Sequence, residues 1–169
     1  TCAEEVKRLR KRILHTAQQV CTERKTEQIK LSIGAMVESP RACLFAGEIA
    51  AHADFLIFGS TDLTIATYAM FRDDAGRYLP FYLDNEIFPA DPFVKLDQSG
   101  VGELLKIGLE RARSVKPQML CGLAGDQASH PDAIKWCHEI GIDYITCAPH
   151  RLPIARLAAA QAAISGEEK

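Results

Sequence analysis

Three side chains stand where α/β folds place chemistry. Glu38 follows the apolar run AMV, Asp62 follows FGST, and Cys147 follows DYIT. Each ends a run of β-formers and precedes a segment with helical spacing. In a parallel barrel, consecutive strands deliver such residues to one mouth at their carboxyl ends. Two carboxylates there suit a magnesium ion, which takes one or two protein carboxylates and leaves its other positions to water and substrate oxygens. A thiol beside a helix N-terminus is favoured as thiolate. Plainer roles are open to the same residues. Glu38 can pair with Arg41, Asp62 can cap the following helix, and Cys147 can be a small buried hydrophobe.

The elements that must position these residues read as alternating strands and helices. Residues 4–27 predict an amphipathic helix, within an N-terminal unit at 1–28. Val6, Leu9, Ile13, Ala17 and Val20 keep its three-four spacing, and KRLRKR forms a basic face that is either simply solvated or open to anions. A buried strand is expected at 30–38 (KLSIGAMVE), then a helix over 41–52 entered through Ser39-Pro40. DFLIFG at 54–59 is continuously apolar, as in a strand covered on both faces. A short helix is expected at 63–71. Residues 72–98 form an insert, irregular from 72 to 92, with turn signals DDAG and PADP. Then follow a helix at 99–114, a strand at 118–122, a loop at 125–130, a helix at 131–140 and a strand at 142–147. Pro149 and Pro153 punctuate the final loop. Leu152, Ala155, Ala158, Ala159 and Ala162 give the last helix its spacing. Strand-helix repeats of this kind mean right-handed βαβ units in a parallel sheet.

Size and composition set bounds. A chain of 169 residues supports one domain, 1–169, and falls short of the about 250 residues of a complete (β/α)8 barrel. The expected fold is therefore α/β and TIM-barrel-like, a half barrel of four parallel strands. A net charge of −2 gives no case for nucleic acid or an anionic membrane surface. No stretch is long and apolar enough to span a bilayer, and the charged N-terminal segment does not read as a signal peptide. Six scattered cysteines without a CxxC pair suggest neither zinc nor a disulfide framework, so a reducing, cytoplasmic setting is expected. His15, His52 and His138 fall in helices, and His130 and His150 in loops, where surface or core roles suffice.

Several stretches resemble the phosphoenolpyruvate-utilising enzymes, and among them the pyruvate, phosphate dikinases. GAMVESPRA is similar to a motif whose Glu binds magnesium, here Glu38. FGSTDLT is similar to one whose Asp is the second metal ligand, here Asp62. FRDDAGRYLPFYL and DPFVKLDQSGVGEL resemble the dikinase-specific insert, and CHEIGIDYITCAPHRLPIARLAAAQ the end of the barrel. The resemblance covers residues 33–164. It implies a Mg2+-dependent site for pyruvate or phosphoenolpyruvate in phosphoryl transfer, with Cys147 as general acid/base at the methyl carbon. Gly59, Ser60 and Thr61 match the loop that touches the substrate through backbone and side-chain donors.

The sequence also departs from that pattern. Thr61 replaces an Asn, Ile65 a Gln, and Leu123 and Ala124 stand where two polar residues are usual. No histidine here lies in the family's phosphohistidine context, and nothing matches its swivelling phosphohistidine domain or its ATP-binding domain. Two readings follow. The chain is a fragment or truncated form of a dikinase barrel, binding Mg2+ and a small-molecule substrate. Alternatively it is a decayed or repurposed half barrel, non-catalytic, that oligomerises with itself or pairs with another half.

Overall fold

The run FLIFG forms the strand β2 (Phe55–Gly59), with Leu56 and Phe58 fully buried. In the computed structural model, which describes residues 2–167, this strand lies inside a four-stranded sheet. Its neighbours are β1 (Ala35–Val37) and β3 (Leu120–Ala124), and β4 (Tyr144–Ile145) pairs with β3. Every pairing is parallel and the order follows the chain, as a half (β/α)8 barrel requires.

Helices precede, connect and follow the strands. They are α1 (Ala3–Arg24), α2 (Pro40–Leu44), α3 (Ala46–Ala50), α4 (Ser60–Tyr68), α5 (Arg72–Ala75), α6 (Leu79–Asp84), α7 (Val101–Val115), α8 (Pro131–Ile140) and α9 (Leu152–Glu167). Two 3-10 turns, Asp126–Ser129 and Pro149–Arg151, lead into α8 and α9.

Register sorts the sheet into two faces. Val37, Phe58, Leu123 and Ile145 align across it, as do Met36, Ile57, Gly122 and Tyr144 one position away. The first row packs with Cys43, Ile49, Leu63, Leu105 and Leu109 in the main core. Each large apolar side chain fully buried there contributes about 1.5–3 kcal/mol relative to exposure. The second row faces away from that core. The Tyr144 ring lies over Gly122, and its hydroxyl donates to the Leu56 carbonyl at 3.4 Å.

Several elements differ from the sequence reading for local reasons. The strand expected at 30–38 is only three residues long. Ahead of it, Asp54 takes over the pairing: its N–H donates to the Ile33 carbonyl and its Oδ2 accepts from the Ile33 N–H, each at 2.8 Å. The last strand, expected at 142–147, shrinks to Tyr144–Ile145, with flanking bonds from Asp143 N to Cys121 O and from Thr146 N to Leu123 O. The third strand sits at Leu120–Ala124 rather than 118–122. The helix expected over 41–52 breaks at Phe45, whose φ of −112° and ψ of 18° are not helical. Ser39 caps its first half, Oγ accepting from Ala42 N at 3.2 Å.

The first helix stops at Arg24, because Lys25 turns left-handed at φ 52°. Its anchor to the sheet is Arg10, which donates to both oxygens of Asp54 at 2.9 and 3.0 Å. Leu9, Ile13 and Val20 on its apolar stripe remain exposed. The insert is not irregular at its start: α5 and α6 enclose a small core of Met70, Ala75, Leu79 and Phe93. Phe88 packs at its edge, 5.5 Å from the Tyr68 ring and 5.0 Å from the Tyr82 ring.

Candidate functional site

The mouth of the half barrel begins at Gly59. Val37 pairs with Phe58, so the next residues, Glu38 and Gly59, come side by side at the strand ends. The helix α4 starts immediately at Ser60, three residues earlier than its pattern predicts. Asp62 therefore lies in the first turn of α4 and does not cap it, because Gly59 is the N-cap. A carboxylate in that turn interacts favourably with the helix dipole.

The two carboxylates converge. A Cβ built on Gly59 would lie 3.0 Å from Glu38 Cγ, 3.5 Å from Glu38 Oε1 and 3.6 Å from Asp62 Oδ2. Glycine keeps that space open between them. Both acids are exposed at the mouth. Among the described residues no group of three or more His, Cys, Asp or Glu side chains is gathered for a metal. A pair of carboxylates around an open cradle fits Mg2+, which takes few protein ligands, and does not fit a cation needing an all-protein cage.

Ser60 and Thr61 do not present free hydroxyls to this mouth. Ser60 Oγ is fully buried and donates to Gln127 Oε1 at 2.8 Å, and Thr61 Oγ1 donates to the same oxygen at 3.3 Å. Thr61 Oγ1 also accepts from Asp126 N at 3.1 Å. The donors left at the mouth are the backbone N–H groups of the first turn of α4, which no intrahelical acceptor can satisfy. Gly125 makes the loop contact possible. At φ 125° it takes a conformation that side chains avoid, and a Cβ there would sit 2.2 Å from Ser60 Oγ.

Gln127 is the residue the sequence reading missed. It is wholly buried, and its Nε2 donates to the Pro92 carbonyl at 2.9 Å and to Thr64 Oγ1 at 3.3 Å. The only sequence signal was a Gly-Asp-Gln turn after a strand, which marks a loop and not a hub.

Cys147 stands apart from the acid pair. It is half-buried, packs against Ile134, Ala155 and Ala158, and lines a cleft of about 260 Å3 between α8, β4 and α9. Leu123 lies in the core, fully buried in line with Phe58, so its departure from the family pattern removes no polar group from the mouth. Ile65 likewise packs against the small core of the insert. A cleft of about 600 Å3 opens between the insert and α8 beside Tyr68, Phe88 and Trp136. It shares no lining residue with the mouth.

Residues 1–164 match the family described as PEP-utilising enzyme, PEP-binding domain. The chain is 42% identical over 164 residues to pyruvate, phosphate dikinase of Clostridium symbiosum, covering 97% of this chain and 19% of that protein. It is 43% identical over 160 residues to the enzyme of the same name from Rickettsia bellii (strain RML369-C), covering 95% and 18%. Against that of Rhizobium meliloti (strain 1021) it is 50% identical over 136 residues, covering 80% and 15%. The chain thus spans about a fifth or less of the length of these relatives.

Proposed function

This chain belongs to the PEP-utilising enzymes and carries their PEP-binding domain, and from that premise we propose that it serves a pyruvate, phosphate dikinase reaction by holding pyruvate or phosphoenolpyruvate with Mg2+. The observation that carries the proposal is the convergence of Glu38 Oε1 and Asp62 Oδ2 on the open space at Gly59. These two acids would hold the metal. When bound, Mg2+ supplies a Lewis acid that stabilises an enolate-type oxyanion. The N–H groups at the start of α4 orient the anionic substrate, since a helix N-terminus favours negative charge. The resemblance would give Cys147, two residues beyond β4, the proton at the methyl carbon of the substrate, a role that requires it to reach the mouth from the α8–α9 cleft that it lines here. No histidine among residues 1–169 lies in the family's phosphohistidine context, so the phosphoryl donor is not assigned to these residues. All six cysteines are free thiols, which supports a reducing, cytoplasmic setting.

The test is a thermal-shift titration with oxalate, a mimic of the pyruvate enolate, with and without Mg2+. Stabilisation grows as RT ln(1 + [L]/Kd), so weak binding shows at high ligand. Stabilisation by oxalate that requires Mg2+ supports the proposal, and no shift at millimolar ligand contradicts it.

A second reading is assembly without catalysis, as a homo-oligomer or with another half barrel. Met36 and Leu120, 50% and 55% exposed, lie on the sheet face turned away from the helices, and β1 and β4 end the sheet. Exposed apolar surface and open strand edges favour pairing with another chain. Light scattering at micromolar concentration decides this: a mass of two chains or more supports assembly, and a monomer that stays soluble rejects it. Among the described residues no helix is long and apolar enough to cross a membrane.

A further inference from the structure

The buried carboxamide of Gln127 bonds to two separate segments of the chain, α4 and the insert. Its Oε1 accepts from Ser60 and Thr61, in the first turn of α4. Its Nε2 donates to Pro92 O, at the far end of the insert, and to Thr64 Oγ1, which itself donates to Ser60 O at 2.8 Å. Gln127 belongs to the 3-10 turn between β3 and α8. Two acceptor positions and two N–H groups are all that a carboxamide offers, and here each is used.

We propose that Gln127 is a positioning residue: it fixes the first turn of α4, and so the direction of Asp62, and locks that turn to the end of the insert. The proposal rests on reading Glu38 and Asp62 as the metal carboxylates. The physical argument is burial. At zero exposure no water replaces a lost bond, so a broken partner is left unsatisfied rather than resolvated. A network satisfied at every atom has one low-energy arrangement, and a partly satisfied one has several. Asp62 lies one residue beyond Thr61, so loosening the Ser60–Thr61 hydroxyls scatters its carboxylate. A metal site tolerates such scatter poorly, because its ligands must be held within about half an ångström. The bond to Pro92 adds a consequence. Anything that shifts the end of the insert pulls on the same carboxamide.

Three variants test this. Gln127→Met keeps the volume and deletes all four bonds. Gln127→Glu keeps an oxygen to accept from Ser60 and Thr61 but loses the paired donation to Pro92 and Thr64. Trp136→Phe alters the core away from the mouth and serves as a stability control. Oxalate affinity at saturating Mg2+ is read by calorimetry, and backbone order parameters by NMR without any ligand. In Gln127→Met the affinity falls about tenfold, and the amides of residues 60–62 and of Phe93 drop from about 0.85 towards 0.6. Gln127→Glu recovers most of the affinity and leaves 60–62 ordered while Phe93 loosens. Trp136→Phe lowers the melting temperature and moves neither readout.

The proposal is overturned if Gln127→Met leaves both readouts unchanged. It is also overturned if affinity falls no more than in Trp136→Phe at matched loss of stability. Should Gln127→Met not fold, Gln127→Glu decides, through the separate response of Phe93. Should the wild-type chain bind no oxalate, the metal reading fails by itself, and the ligand-free order parameters still decide the role of Gln127.

Discussion

Glu38 and Asp62, carried on successive βα units, bring one oxygen each to 3.5 and 3.6 Å from the point where a side chain at Gly59 would begin. One strand end and the first turn of the next helix thus make a two-carboxylate cradle. Its depth is set by the smallest residue in the code.

Gly59→Ala is the simplest probe of that cradle. The φ of −90° at this position suits any residue, so the backbone will accept alanine. The new Cβ, 3.0 Å from Glu38 Cγ and 3.6 Å from Asp62 Oδ2, crowds the space between the two acids. The expected result is a loss of Mg2+-dependent oxalate binding of tenfold or more, about 1.4 kcal/mol, with the melting temperature changed by only a few degrees. Oxalate calorimetry and thermal melts on the same samples check both parts.

Acid should release α1 from the sheet. The bidentate bond from Arg10, helped by the Ile33 N–H, holds the Asp54 carboxyl below its usual value. A carboxylate depressed in the folded state stabilises above its unfolded pKa, near 3.9, and that stability is lost as pH falls through the folded value. Wild-type stability should therefore decline below about pH 4, and Asp54→Asn should show a shallower decline. At pH 7 the variant should be less stable by about 1 kcal/mol, given partial exposure of the pair. Urea unfolding between pH 7 and pH 2 measures it. Parallel acid limbs in the two proteins would remove Asp54 from the account.

Thiol labelling separates Cys147 from the core cysteines. Burial pushes the Cys43 and Cys137 thiols up to about 12 and Cys121 to about 11, so little thiolate is present at pH 8. Cys147 is half-buried at a cleft. Iodoacetamide under native conditions should modify Cys147 well before Cys43, Cys121 or Cys137, as peptide mass spectrometry will show. Equal rates at Cys147 and Cys137 would make Cys147 a packing residue.

The strand-helix alternation was legible because short apolar runs such as FLIFG, bounded by turn signals, read as strands. The expectation that both faces are covered was not met, since Phe55 and Ile57 stay half-buried on the face turned away from the helices. The placement of Glu38 and Asp62 at the mouth followed from the alternation. The lengths of the outer strands were not legible. They depend on when a partner strand begins, and Asp54 and Asp143 take backbone bonds that a longer strand would have used. The start of α4 was misplaced because Ser60 and Thr61 read as loop residues, while their hydroxyls are satisfied by Gln127 across the fold. No local pattern announces a partner 66 or 67 residues away. The departure at Leu123 looked like a lost polar contact only while its face of the strand was unknown.

The central claim is that Glu38 and Asp62 together hold a divalent cation. Electron paramagnetic resonance with Mn2+, an oxygen-preferring stand-in for Mg2+, counts bound ions directly. The account predicts one Mn2+ per wild-type chain, tightened by oxalate, and its loss in both Asp62→Asn and Glu38→Gln at unchanged melting temperature. Stoichiometric Mn2+ that persists in the Asp62→Asn, Glu38→Gln double variant, or a wild-type chain that binds none in the presence of oxalate, would contradict it.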